Sequence, residues 1–300
     1  GAEGLAIIGA YGMGLQGWDV SYVFQNGDDG TFSRSIGNQY WDATAPQFAL
    51  LFPAISRQVL RGDVREAAQT HPLKANVEAL TRGEMGFSDD ATLNWDVKGY
   101  DTDAFPSEAL AVSRAAVTFT QSQQPTKPFD IDPYKDDGYL ESDTGQLHWR
   151  SGQAPQDGHI EIDTPATQAV VGFAKGRSVE LGNARIQSDT RFAAIYLTAL
   201  GQEEEIATGQ TLLLTAIARA RNEDAVYAHD AFLLEKGEGP VVMEPVQATL
   251  QLKRPGTPTV EVLDQAGTPT GQTLPVSKDG TITIDTGNKQ TPFYLIRYYT

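Results

Sequence analysis

Six residues in one short stretch, Phe24, Gln25, Asn26, Phe32, Tyr40 and Trp41, carry the side chains that a sugar site needs. Pyranose rings present apolar C–H faces that stack on aromatic rings, and their hydroxyls pair with planar amides and carboxylates. Asp28 and Asp29 lie in the same stretch, and Asp19 lies just upstream. Two carboxylates roughly 5 Å apart perform retaining glycoside hydrolysis, one ionised as nucleophile and one protonated as acid. These three do not make such a pair. Asp28-Asp29 stand between Gly27 and Gly30, where acidic residues ordinarily serve a solvated turn, and Asp19 reads as structural. The six named residues are the candidate substrate-binding set, and no catalytic residue is assigned within the chain.

Other chemistry-bearing patterns are weaker. Arg61-Gly62-Asp63 matches an integrin-binding tripeptide, but a helix C-terminus accounts for all three residues. His71, His148, His159 and His229 have no metal-ligand spacing. Asp130, Asp132, Asp136, Asp137 and Gly138 resemble a calcium loop, but Tyr134 occupies the third ligand position, which excludes an EF-hand. Gly9, Gly12 and Gly14 precede a strand instead of following one, so they form no phosphate cradle. No metal site and no cofactor follow from these patterns.

Leu5, Ile8, Tyr11 and Leu15 recur at helical spacing, and the glycines among them would let that helix pack closely on a sheet. Trp18 to Gln25 is rich in β-branched and aromatic residues and reads as a strand. After a polar loop reaching Asp42, a helix of about twenty residues is expected, capped by Asp42 or Thr44, kinked at Pro53 and ended by Gly62. Helix, strand, loop and helix is the closing pattern of a (β/α)8 barrel. The loop from Gln25 to Asp42 would then sit at the C-terminal strand ends, where barrels keep their sites.

Short strands are expected at Leu73–Val77 and Ser113–Thr120, with a turn or short helix at Pro106–Leu110. From Tyr139 onward the chain reads as a succession of short strands separated by turn residues, among them Tyr139–Glu141, His159–Asp163, Val241–Leu252, Thr259–Leu263 and Thr281–Asp285, the pattern of an antiparallel sandwich. Residues 192–200 are apolar on both alternating faces, so this strand should be central. Trp149 and Tyr139 are candidates for an exposed aromatic platform, although alternation could equally place them in the core. The final strand, ending in Tyr298 and Tyr299, could be an interface between copies. The division expected is 1–72 as the end of a barrel, 73–137 as a connecting segment with short strands, and 138–300 as a sandwich, with 255–300 as a candidate sub-domain. The fold class is therefore α/β plus all-β: terminal βα units of a TIM barrel followed by an antiparallel β-sandwich.

The chain has no cysteine, which removes disulfides, thiolate metal sites and cysteine nucleophiles. Its net charge of −16 repels nucleic acid and anionic lipid headgroups, so neither is an expected partner. No stretch approaches eighteen uninterrupted apolar residues.

Three groups of residues carry a family resemblance. Ala2-Glu3 through Gly17-Trp18-Asp19, with Arg57 to Val64, resembles the end of the catalytic barrel in clan A glycoside hydrolases. Ser142 to Trp149 and Ile162 to Phe173 resemble the C-terminal β-sandwich of family 42 β-galactosidases and similar multi-domain polysaccharide-degrading enzymes. Leu212 to Asn222 and Glu244-Pro245-Val246 resemble it too, in the same order along the chain. The resemblance implies a glycosidase acting on a poly- or oligosaccharide, a galactan among the candidates, and a secreted or periplasmic bacterial location. It also implies catalytic glutamates on barrel strands upstream of Gly1, supplied by a preceding segment or a second chain. The alternatives are a non-catalytic carbohydrate-binding β-sandwich module and a structural assembly protein.

Overall fold

Ala193–Ala199 alternates two apolar sets, and both are buried. Ala193, Ile195, Leu197 and Ala199 join one core, while Ala194 and Tyr196 join another. A strand that is apolar on both faces must be covered on both. The rest of the molecule supplies the two covers.

The computed structural model describes residues 1–23, 34–36, 43–82, 105–122, 124, 126–152, 156–229 and 232–299. Its strands are β1 (Thr70–Asn76), β2 (Arg114–Thr120), β3 (Lys135–Asp136), β4 (Tyr139–Glu141), β5 (Leu147–Arg150), β6 (His159–Asp163), β7 (Thr167–Gly172), β8 (Ser178–Glu180), β9 (Ala184–Ser188) and β10 (Ala193–Ala199). They continue with β11 (Thr211–Ala218), β12 (Ala220–Asn222), β13 (Val226–His229), β14 (Phe232–Glu235), β15 (Val241–Met243), β16 (Gln247–Leu252), β17 (Thr259–Leu263), β18 (Pro269–Leu274), β19 (Thr281–Asp285) and β20 (Phe293–Arg297).

Ten strands form one open antiparallel sheet in the order β18-β17-β20-β11-β10-β7-β6-β5-β4-β3. A four-stranded sheet, β19-β16-β9-β8, lies over one face of it. Ile186, Leu250, Ile282 and Ile284 of the small sheet share a core with Ile195, Leu197, Leu214 and Ile296 of the large one. On the opposite face, Ile160, Val171, Tyr196 and Ile217 pack under helices.

Those helices are α1 (Ala2–Ile7), which runs on as a π-helix over Ile8–Leu15, then α2 (Pro46–Ala49) and α3 (Phe52–Arg61). Leu5, Ala10, Leu15, Leu51 and Ile55 fill the helix–sheet layer. The close approaches that the glycines permit are not to the sheet: a Cβ on Gly9 would stand 2.7 Å from Ile55 Cγ2 of α3, one on Gly12 would meet the Trp18 ring, and one on Gly14 would meet Val64. The expected twenty-residue helix is two helices. Pro53 falls in the first turn of α3, where its missing N–H costs nothing, so it starts a helix instead of kinking one. Gly62 ends α3 in the left-handed region, φ +69°.

The barrel expectation is overturned. Over its described part, residues 18–23, the segment Trp18–Gln25 is not a strand. Gly17, at φ +64°, turns the chain back, and the Trp18 N–H donates to the Gly12 carbonyl at 3.0 Å. Trp18, Val20 and Tyr22 are exposed, Tyr22 by 84%. Among the named strands of the described residues, the one parallel ladder joins β1 to β2, and no strand lies between α1 and α3 for it to pair with. The fold class is corrected accordingly: open antiparallel sheets with a few short helices, and no TIM-barrel βα unit among the described residues. Among the described residues, no helix is long and apolar enough to cross a membrane.

Candidate functional site

The six candidate sugar contacts, Phe24, Gln25, Asn26, Phe32, Tyr40 and Trp41, all lie outside the described residues. The nearest described part of their loop, Arg34–Ile36, is anchored to the sheet region. Val241 N–H donates to the Arg34 carbonyl at 3.1 Å, and Ile36 N–H donates to Asn222 Oδ1 at 2.7 Å.

A hollow of about 500 Å³ opens at one end of the large sheet. Strand alternation builds its floor. Trp149 on β5, Ile160 on β6 and Val171 on β7 belong to the face under the helices. Phe173 and Phe192 extend the floor, edge to face with centroids 5.2 Å apart. Tyr227 on β13 adds a fourth aromatic side chain to the lining. Trp149 is held from below by Tyr11, with ring centroids 5.2 Å apart. Planar polar groups stand among these rings: Gln47, Gln156, Arg219 and Glu244. Arg219 and Glu244 pair bidentately, Nε to Oε2 at 3.1 Å and Nη2 to Oε1 at 3.0 Å. Drug- and sugar-sized ligands are held by this mixture of apolar floor and few convergent polar groups.

The other face of β4, β5 and β6 carries a polar grid. Cross-strand register sets Tyr139 beside Arg150 and Arg150 beside His159, with Glu141 beside His148 and His148 beside Glu161. The Tyr139 hydroxyl lies 3.3 Å from His159 Nε2, which lies 2.9 Å from Glu161 Oε1. Burial, reinforced by the Glu161 carboxylate, holds the Tyr139 phenol above its ordinary pKa. Burial does the same more strongly at Tyr11, where Glu161 again adds to it. Tyrosine, imidazole and carboxylate in contact are the parts of a proton relay. The His159 side chain has no solvent exposure, however, so the row serves as an internal polar tie.

The sequence offers Trp149 and Tyr139 as candidates for one platform, with the core as the alternative for both. The structure separates them: Trp149 floors the hollow, and Tyr139 faces the opposite side of the sheet. Sequence reasoning did not single out Phe173, Tyr227, Arg219 or Glu244 as site residues. The signal available was a charged residue, Arg219, directly after the apolar run Leu212–Ala218.

Set against protein-family models, curated proteins and solved structures, the chain matches none. The resemblance to clan A and family 42 glycoside hydrolases is therefore not upheld. The glycosidase assignment, and with it O-glycosyl hydrolysis by a protein of which this chain is part, rested on a barrel that the described residues do not form. Among the described residues, no three His, Asp or Glu side chains gather to hold a metal ion either.

Proposed function

We propose that the chain is a non-catalytic carbohydrate-binding protein whose site is the hollow floored by Trp149. One observation carries this reading. Trp149, Phe173, Phe192 and Tyr227 line the same hollow as Gln47, Gln156 and the Arg219–Glu244 pair. Rings offer stacking to C–H faces, and fixed planar donors and acceptors offer pairing to hydroxyls. Calorimetric titration of the whole chain with neutral and acidic plant and algal glycans tests it. At least one class should give saturable heat. Tyr227→Ala, at a side chain already 38% exposed, should weaken that binding by roughly tenfold, about 1.4 kcal/mol. No heat with any glycan would sink the proposal.

A second reading, an assembly role, draws on the hairpin of β13 and β14. Val226, Tyr227, Phe232, Leu233 and Leu234 are all exposed there, a clustering that often marks an interaction surface. Light scattering of the purified chain checks it: a monomer at all accessible concentrations would rule out self-assembly through this hairpin.

A further inference from the structure

Glu244 lines two hollows, not one. Beyond the Trp149 hollow lies a second, of about 710 Å³, between α2 and the segment Thr286–Pro292. Its walls include the apolar side chains of Leu50 and Pro245 and the planar amides of Gln265 and Gln290. The junction is a fixed structure. Glu244 N–H donates to the Arg219 carbonyl at 2.9 Å, and the two side chains pair above that bond while remaining about one-third exposed. The adjoining ladder of β12 and β15, with Ala220 opposite Met243, holds the two residues in register.

From this arrangement, and resting on the glycan-binding reading above, we infer that the ligand is a linear oligosaccharide. It spans both hollows and crosses the Arg219–Glu244 pair. Each hollow falls within the range that encloses a small ligand by itself. Two in series suit a chain-like molecule, because the second contact is made at the high effective concentration that the first one creates. At the junction, a guanidinium edge and a carboxylate supply donors and an acceptor to hydroxyls on either side of a glycosidic bridge. The second hollow has amides and aliphatic walls, so it favours contacts with hydroxyls and ring edges over stacking.

The test is calorimetric titration of the 300-residue chain with β-linked gluco-, galacto- and manno-oligosaccharides of one to six units. In the series that binds, affinity should rise about tenfold or more between the disaccharide and the pentasaccharide and then level off. Gln265→Trp, which puts bulk into the second hollow from an exposed turn, should return the pentasaccharide towards the affinity of the disaccharide. A thermal melt checks that this variant folds, and the wild-type length series decides the matter without it. Saturable binding that is equally tight from one unit to six overturns the two-hollow inference and leaves the single-site reading standing. Absence of binding at every length overturns both.

Discussion

Arg61 and Asp63 face each other through two parallel hydrogen bonds, Nε to Oδ1 at 2.6 Å and Nη2 to Oδ2 at 2.7 Å, across the glycine that ends α3. Their side chains are only 7% and 2% exposed. The remaining valences are filled by the sheet: Arg61 donates to the carbonyls of Ala166, Ala199 and Gly201, and the Thr167 hydroxyl donates to Asp63 Oδ2. The tripeptide that resembles an adhesion motif is thus turned inward, and it latches α3 onto the strand ends. Removing one partner of a buried pair leaves the other charge stranded, which typically costs 3–5 kcal/mol. Asp63→Ala should lose about that much stability, read from the midpoint of urea unfolding. A loss below about 1 kcal/mol would mean that the latch is only a surface pair.

The glycines of the first helix are not equivalent. At Gly9 a Cβ would meet Ile55 Cγ2 at 2.7 Å, and at Gly14 it would meet Val64 at the same distance. At Gly4 nothing lies within 4 Å. Gly9→Ala should therefore destabilise by roughly 1–3 kcal/mol through overpacking. Gly4→Ala should stabilise by up to about 1 kcal/mol through helix propensity. Melting curves of the two variants should move in opposite directions; a shared direction would refute the packing argument.

Tyr11, Tyr196 and Tyr294 all have pKa values raised by burial, with a nearby carboxylate adding to the effect at Tyr11 and Tyr294. A raised folded-state pKa means that the unfolded chain ionises first. Their contribution is fully present below the ordinary tyrosine pKa of about 10 and is lost as pH climbs through the folded-state values. Stability should hold from neutral pH to about pH 10 and fall steeply above it. Phenolate absorbance should show a group of tyrosines that ionise only with unfolding. Smooth titration of all tyrosines near pH 10 in the folded protein would contradict this.

The β region was readable because its strands are short, alternating and bounded by turn residues. β4, β6, β17 and β19 run over the residues that alternation marks. β18 carries little strand signal, because it contains Pro269 and Gly271, which an edge strand tolerates. Val241–Leu252 reads as one strand but breaks into β15 and β16 at Glu244-Pro245. The opening misled for a different reason. Local pattern shows that residues 5–15 form an apolar helix, but it cannot show which sheet that helix covers. Ile160, Val171 and Ile217, more than a hundred residues away, do. The hollow was illegible for the same cause: Trp149, Phe173, Tyr227 and Glu244 meet only through register and sheet order.

The Arg219–Glu244 pair allows binding and stability to be measured apart. Both side chains are about one-third exposed, so their attraction is screened by water and contributes about 1 kcal/mol or less to folding. Glu244→Ala and Arg219→Ala should consequently keep melting temperatures close to that of the wild type. If the pair supplies hydroxyl contacts at the junction of the two hollows, each change should still weaken oligosaccharide binding by roughly tenfold. The double variant should be little worse than either single one, because each residue positions the other. A double-mutant cycle on both melting temperature and affinity checks this. Additive losses of affinity would mean that the two residues contact ligand independently, and unchanged affinity in all three variants would remove the pair from the site.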